Sequence, residues 1–190
     1  MHTNLRARIR AGDQHAFAEL FDAHARAVYN HAFRLTGDWS VAEDIVSLTF
    51  LEAWRLRERL EPDGGSTLPW LLGIATNVTR NTARAGRRHR EALRRLPTTG
   101  SAPDFADELA GRLDDARRLA AVRLVLDRLR RAEREVFVLC VWSGLDYATA
   151  ARALRVPVGT VRSRLSRART RLRSLAEDEL AGDLIRRAHR

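Results

Sequence analysis

Apolar residues recur at steps of three and four along much of the chain, which predicts amphipathic α-helices. Asp13 is a good N-cap for a first long helix, which ends near Thr36 before Gly37. Ser40 and Glu43 form a Ser-x-x-Glu capping box, which predicts the start of a second helix. The apolar positions are Ala16, Phe17, Leu20, Phe21, Val28, Ala32 and Leu35 in the first helix, and Val41, Ile45, Val46, Thr49, Phe50, Ala53 and Trp54 in the second.

A loop is predicted over Arg59–Thr67, where Pro and Gly cluster, and a third helix is predicted from about Leu68 onward. One face of that helix is apolar and packs inward, and the other carries amide and guanidinium groups. The outer face suits contacts with phosphates and unpaired bases, and the alternative is a solvated helix end. The inner face holds Leu71, Ile74, Ala75, Val78 and Thr82, and the outer face holds Thr76, Asn77, Arg80, Arg84, Arg87 and Arg88.

The composition changes between Pro97 and Ala110, where Pro, Gly, Ser, Thr and acidic residues predict a linker. Further helices are predicted over Leu113–Leu129 and Ala132–Trp142, and Asp146 then caps a short third helix. These features predict an all-α fold of two small helical domains joined by a flexible linker. The predicted bounds are 1–96 for the first domain, 97–112 for the linker, 113–177 for the second domain and 178–190 for a tail.

The stretch 146–175 reads as two helices joined by a tight turn, with Pro157 and Gly159 at the break. The second of these helices has a continuous apolar stripe and an opposite face of arginines and hydroxyls. Such a helix suits the DNA major groove, and the alternative is an amphipathic helix whose arginines are only solvated. The stripe is Val161, Leu165, Ala168, Leu172 and Leu175, and the opposite face is Arg162, Ser163, Ser166, Arg167 and Thr170.

The formal net charge is +10, and every one of the 34 Lys-or-Arg positions is an arginine. This balance indicates an anionic partner, with nucleic acid favoured over a membrane surface. The single Cys140 excludes an internal disulfide and is expected to be a small buried hydrophobe. No apolar run approaches membrane-spanning length, and residues 1–10 lack the apolar core of a signal peptide. We therefore expect a cytoplasmic protein without membrane insertion.

The candidate catalytic groups are few. Glu43 and Asp44 are adjacent on a helix, so their carboxylates point about a third of a turn apart and do not converge. We find no nucleophile with a partner base, no ordered His pair and no phosphate-cradling Gly loop. The sequence therefore predicts no enzyme activity, no metal site and no cofactor.

Three motifs in this order resemble the sigma-70 family of bacterial RNA polymerase initiation factors, and most closely its small two-domain extracytoplasmic-function (ECF, group 4) type. Residues 41–55 are similar to the family's polymerase-binding helix. Residues 69–77 are similar to the family's helix that faces the promoter −10 element. Residues 156–169 match the family's helix-turn-helix almost residue for residue. The family usually has Gln and an acid in place of Ser47 and Leu48, Asp in place of Asn81, and acids and Ile around Thr149 and Ala150.

The resemblance implies a factor that binds the clamp and the flap of core RNA polymerase and directs promoter-specific initiation. It also implies an anti-sigma partner. A stand-alone helix-turn-helix regulator that binds duplex operator DNA is the alternative. The implied polymerase-binding residues are Glu43, Asp44, Ser47, Glu52 and Arg55; the −10 residues are Asn77, Arg80, Arg84 and Arg87; the −35 residues are Arg162, Ser163, Arg164, Ser166 and Arg167.

Overall fold

The computed structural model describes residues 5–93 and 126–188 of the chain. Every regular element in these two ranges is helical, in agreement with the predicted all-α class. None of the helices in these ranges has both the length and the hydropathy needed to cross a membrane. The helices are α1 (Leu5–Arg10), α2 (Gln14–Thr36), α3 (Trp39–Arg55), a 3-10 helix (Arg57–Arg59), α4 (Leu68–Leu93), α5 (Arg131–Phe137), a π-helical turn (Val138–Trp142), α6 (Tyr147–Leu154) and α7 (Val158–Ala188).

Both predicted ends of α2 are confirmed. The Asp13 carboxylate accepts hydrogen bonds from the backbone N–H groups of His15 (2.9 Å) and Ala16 (3.1 Å). Gly37 follows the helix in the left-handed conformation, with φ at 66°, and its N–H donates to the Phe33 carbonyl. The capping contacts satisfy backbone groups that the helix itself leaves without partners.

The capping box predicted for α3 is wrong. The N-cap is Asp38, whose carboxylate accepts a hydrogen bond from the Val41 N–H at 3.0 Å. Asp38 has the extended backbone (φ −124°, ψ 124°) that an N-cap requires, so the helix already begins at Trp39. Ser40 therefore lies in the first turn, and Glu43 is exposed.

The core of the first domain is formed where α2, α3 and α4 pack together, with α1 covering one end. Phe17 contacts Phe50 and Trp54 edge-on, with ring centroids 6.2 and 5.0 Å apart. Phe21 belongs to the predicted apolar stripe, but it is 43% exposed. The main buried cluster consists of Ile9, Ala16, Leu20, Val28, Phe50, Ala53, Leu60, Leu71, Ile74 and Ala75.

The helix-turn-helix is present, but its break differs from the prediction. Asp146 caps α6 as expected and accepts from the Thr149 N–H at 2.8 Å. After α6, Arg155 takes the left-handed conformation with φ at 55°. Pro157 then precedes α7, so the break lies at residues 155–157, and Gly159 lies inside α7 rather than at the break.

The other second-domain predictions have mixed outcomes. The predicted helix Ala132–Trp142 is α5 followed by the π-helical turn. Cys140 is half-buried rather than buried. The linker predicted over 97–112 and residues 113–125 of the helix predicted over 113–129 lie outside the described residues. Of the last four residues of that helix, 126 and 127 are helical, whereas 128 and 129 form a turn. The predicted tail begins inside α7, which continues to Ala188.

Helix α4 belongs to both halves of the molecule because it also packs on α6. Its Leu72 side chain is 1% exposed and lies in the apolar cluster of the second domain, with residues such as Leu139 and Leu154. The crossing is close at Gly73. A Cβ atom placed there would lie 2.8 Å from the Ala153 carbonyl oxygen, which is backbone and has no rotamer to change. Only glycine permits this approach.

His31 on α2 is fully buried beside α4. Its Nε2 lies 2.8 Å from the Thr76 hydroxyl, which itself donates to the Leu72 carbonyl. The hydroxyl has one proton, so it accepts from a protonated Nε2, and the bare Nδ1 has no hydrogen-bond partner among the described residues. Burial, and then the charge of Arg34, lower the pKa of His31 to about 3.

The first prediction concerns acid stability. Since folding lowers the pKa of His31 to about 3 from its ordinary 6.5, the unfolded chain binds a proton there more readily. The stability that follows from keeping His31 neutral is fully present above pH 6.5, and it declines as the pH falls toward 3. Between pH 7 and pH 5 the wild type should lose about 2 kcal/mol more unfolding free energy than His31→Gln, measured by urea titration. His15→Gln changes an exposed histidine and should keep the wild-type slope; identical slopes for wild type and His31→Gln would contradict the prediction.

The second prediction concerns the crossing of α4 and α6. Gly73→Ala places a methyl group against the Ala153 backbone, and such overpacking destabilises a protein by about 1–3 kcal/mol. The higher helix propensity of alanine offsets about 1 kcal/mol of this loss. The two domains should separate more readily, so small-angle X-ray scattering should give a larger radius of gyration. Gly159→Ala is the matched control, because no atom lies within 4 Å of a Cβ there. Equal radii for the two variants would contradict the prediction.

Candidate nucleic-acid interface

The five predicted −35 residues lie together on the first turns of α7. Arg162, Ser163, Ser166 and Arg167 are exposed, and Arg164 is half-buried. The apolar stripe opposite them is anchored in the second domain by Val161, Leu165 and Ala168, which are all at most 1% exposed. The rigid attachment leaves a face of guanidinium and hydroxyl groups directed to solvent.

A buried acid lies beside this face. Glu133 is 4% exposed and accepts from the Arg130 N–H at 3.1 Å, so it caps α5. Its other contacts reach α7, with the Arg171 Nη1 at 3.4 Å and the Arg167 Nε at 3.9 Å. The carboxylate therefore orients the C-terminal side of the predicted −35 face. Glu133 is not among the predicted site residues, because its only signal in the sequence is that it is an acidic residue near the start of the predicted helix 132–142.

The predicted −10 residues do not share one environment. Asn77, Arg84 and Arg87 are exposed on α4, but Arg80 is only 22% exposed at its side chain. Thr76, placed on the same outer face by the sequence, is 1% exposed and bonds His31, so that assignment is wrong. A hydroxyl can be buried when both its donor and its acceptor functions find partners, as they do here.

Arg80 forms a two-pronged ion pair with Glu135 of the second domain. Its Nε donates to Oε1 at 2.8 Å and its Nη2 donates to Oε2 at 2.6 Å. Glu135 is 4% exposed and has a second cation, Arg131, at 3.6 Å. The hydrogen bonds to Glu135 raise the pKa of the Arg80 guanidinium. Planar forks of this kind are the strongest hydrogen-bonded ion pairs in proteins.

A cleft of about 880 Å³ opens between the two domains beside this pair. Asn77 and Arg80 line one side, and α6 with the residue after it contributes Arg152 and Arg155. The end of the 3-10 helix and the loop after it form a further wall, and Arg59 adds another positive charge there. The exposed Arg59, Arg152 and Arg155, together with the Asn77 amide, make this cleft suited to an anionic, hydrogen-bonding ligand.

The predicted polymerase-binding residues lie along α3. Glu43, Asp44, Ser47 and Arg55 are exposed, and Glu52 accepts from the Arg55 Nη1 at 3.2 Å. Three large apolar residues on the same helix are also exposed, namely Trp39 at 40%, Leu48 at 45% and Leu51 at 63%. Exposed leucines next to charged groups are typical of a protein-binding surface. The structure places Glu52 and Arg55 at the edge of the cleft, so this surface adjoins the −10 residues.

The comparisons with known proteins agree on one family. Residues 20–89 match the Sigma-70 region 2 family, and residues 119–172 match the Sigma-70 region 4 family. The chain is 33% identical over 178 residues to the RNA polymerase sigma factor NccH of Alcaligenes xylosoxydans xylosoxydans, covering 91% of this chain and 93% of that one. It is 36% identical over 166 residues to the ECF RNA polymerase sigma factor SigE of Mycolicibacterium smegmatis, covering 85% of this chain and 63% of that one.

A solved structure supports the same assignment. The sigma factor RpoE of Bartonella quintana, in its co-crystal with the anti-sigma factor NepR, superposes with a TM-score of 0.60 and 27% sequence identity, covering 85% of this chain and 96% of that one. The two matched segments include α4 with its basic face and the helix-turn-helix with its arginine and hydroxyl face. The chain belongs to the sigma-70 family and is an RNA polymerase sigma factor of the ECF type, which acts in promoter-specific transcription initiation.

Proposed function

We propose that separate faces of this chain recognise the two promoter elements, α4 with the loop before it for the −10 element and α7 for the −35 element. The observation that carries the proposal is the pair of cationic faces on one chain: the exposed row on α7 and the cleft that contains Asn77 and Arg80. The −35 contact is to duplex DNA, because α7 presents its side chains from a firmly packed helix. The resemblance to the family implies that the −10 contact is to a melted strand, and the cleft of about 880 Å³ has room for an unpaired base.

The roles of the individual residues follow from their chemistry. Arg162 and Arg167 can donate two parallel hydrogen bonds to a guanine edge, and Ser163 and Ser166 can donate or accept. Arg164 is half-buried, unlike its four exposed neighbours, and we assign it to a phosphate rather than to a base. In the cleft, the Asn77 amide pairs with a base, and Arg84 and Arg87 neutralise the backbone beyond it.

Core RNA polymerase binds through α3 in this proposal. Glu43, Asp44, Ser47, Glu52 and Arg55 contact the clamp, and the exposed Leu48 and Leu51 add apolar area where the family usually has a polar group at residue 48. The second domain contacts the flap. Each DNA-binding face is small, so the polymerase supplies much of the affinity and the chain supplies the selectivity.

The proposal also includes a further partner and the place where the chain acts. An anti-sigma factor is a further partner, by analogy with the Bartonella sigma factor and its partner NepR. The chain acts in the cytoplasm, where core polymerase and DNA are found. It has no catalytic site of its own, since it contributes binding and orientation to a reaction that the polymerase performs.

The proposed function is tested by transcription with purified core polymerase on promoters selected from a random library. We expect a transcript that depends on both the added chain and a defined pair of promoter elements. Without polymerase, a gel shift on the duplex should show only weak binding. Tight binding to duplex DNA without polymerase, together with no core-dependent transcript, would favour the stand-alone regulator instead.

The third prediction assigns base selectivity to Arg167. Arg167→Ala should remove about 1–3 kcal/mol of discrimination between bases at one −35 position, because a forked contact to one base is lost. The discrimination at the other promoter positions should stay as in the wild type. The measurement is holoenzyme binding to a panel of single-base promoter variants. Arg173→Ala removes an exposed arginine further along the same helix and is the control. Equal weakening on every promoter variant would assign Arg167 to a phosphate instead.

The fourth prediction concerns the ion pair that occupies Arg80. While Arg80 holds Glu135 it is not available to a DNA phosphate, so any such contact must first break the pair. Glu135→Gln removes the charge that holds it and should tighten binding of single-stranded −10 DNA to the free chain by about fivefold, or 1 kcal/mol. Fluorescence anisotropy with a labelled −10 oligonucleotide measures the change.

Glu133→Gln is the matched control for that measurement. It neutralises the neighbouring buried acid, whose ion pairs lie within the second domain, so the −10 affinity should stay at the wild-type value. An unchanged affinity in Glu135→Gln, or an equal gain in both variants, would mean that the pair with Arg80 does not limit DNA binding.

A further inference from the structure

The short helix α1 places an arginine inside the loop that leads to α4. Arg6 is 8% exposed, an unusual burial for an arginine, and its guanidinium donates to three backbone carbonyls. Nη1 bonds the Glu61 oxygen at 2.6 Å, Nε bonds the Gly65 oxygen at 2.9 Å, and Nη2 bonds the Ser66 oxygen at 2.9 Å. All three acceptors belong to one loop, so a single side chain fixes its path.

A second arginine on the same face of α1 holds the start of the loop. Arg10 follows Arg6 by four residues, which places both on one side of the helix. Its Nη1 donates to the Leu60 carbonyl at 2.6 Å and also to the Glu58 carbonyl. Carbonyls of a loop need donors that the loop itself does not supply, and α1 supplies them.

The loop has a residue shaped for this arrangement. A Cβ atom on Gly64 would lie 2.5 Å from the Arg6 Nη1 and 2.7 Å from its Cζ. The φ angle of Gly64 is not in the left-handed region, so the requirement for glycine here is space for the guanidinium rather than backbone freedom. Any larger residue would displace Arg6 from the carbonyls.

The same loop forms a wall of the cleft described above. Glu61, Gly64, Gly65 and Ser66 line it, and so does the predicted −10 residue Asn77. The position of this wall relative to Asn77 sets the space open to an unpaired base. A displacement of about 1 Å in such a site can lower the rate of the step that it supports by about a hundredfold.

We propose that Arg6 is a positioning residue for the −10 contact. It holds the loop in the shape that forms the base-binding cleft, and it acts through the loop carbonyls. Arg6 also lines the cleft, but its guanidinium is already engaged by those carbonyls. This inference rests on the proposed function, because it assumes that the cleft receives a melted −10 strand. It adds α1, which precedes the segment that matches the region 2 family at residues 20–89, to the promoter-reading apparatus.

The test compares Arg6→Ala with Arg8→Ala in holoenzyme. Arg8 lies on the same helix, but its guanidinium pairs with Asp13 and Glu19 and does not reach the loop. Promoter opening is followed by the fluorescence of 2-aminopurine placed in the −10 non-template strand, and core affinity is measured separately. Arg6→Ala should open the promoter about tenfold more slowly, a loss equal to one charge-assisted hydrogen bond, while Arg8→Ala opens it at the wild-type rate. Core affinity should be unchanged in both variants.

Chemical rescue separates positioning from a general loss of folding. Low millimolar guanidinium should restore the opening rate of Arg6→Ala toward wild type, and the same concentration of sodium chloride should not. Gly64→Ala should slow opening on its own, because its methyl group displaces the guanidinium. The same change should have no further effect in the Arg6→Ala background.

The outcomes distinguish this inference from the function on which it rests. Wild-type opening by Arg6→Ala, or a loss of core affinity in proportion to the loss of opening, would overturn the positioning role. Additive effects of Arg6→Ala and Gly64→Ala would also overturn it. If the wild-type holoenzyme opens no promoter at all, the proposed function itself fails.

Discussion

The close crossing of α4 and α6 determines how the two halves of this sigma factor are arranged. Gly73 allows the two helix backbones to approach, Leu72 enters the apolar cluster of the second domain, and Arg80 closes the contact with Glu135. The apolar part supplies the affinity between the halves, and the two parallel hydrogen bonds of the ion pair constrain their register. The helix proposed to read the −10 strand is thus the helix that holds the second domain.

Arginine has two different uses in this chain, and its distribution in the sequence does not separate them. Arg162 and Arg167 face solvent, whereas Arg6 and Arg80 are committed to carbonyls and to a carboxylate inside the protein. The planar guanidinium suits both tasks, because its fork matches a base edge, a phosphate or a carboxylate equally well. The formal charge of +10 already cancels Arg80 against Glu135, but it still counts Arg6, whose guanidinium is buried against neutral carbonyls.

Local chemistry in the sequence predicts much of the fold. The caps at Asp13 and Asp146, the end at Gly37 and the apolar stripe of α7 each depend on neighbours within one or two turns. The predictions are wrong where contacts between residues far apart in the sequence determine whether a side chain is buried. Thr76 is polar by type, but it is buried because His31 approaches it from another helix. The helical period places Arg80 on the exposed face of α4, and no local pattern in the sequence predicts that Glu135 covers it.

The two proposed DNA faces consequently differ in what binding requires. The −35 face on α7 is already exposed and is supported by a packed stripe, so duplex DNA can meet it without rearrangement of the domain. The −10 cleft is bounded by both domains, and part of its cationic lining is engaged by Glu135. The domain contact can be formed or broken, and a ligand shifts this equilibrium only by the difference between its affinities for the two states. Binding of a melted strand must therefore offset the loss of the domain contact, and a scaffold that holds the domains apart removes that cost before the strand arrives.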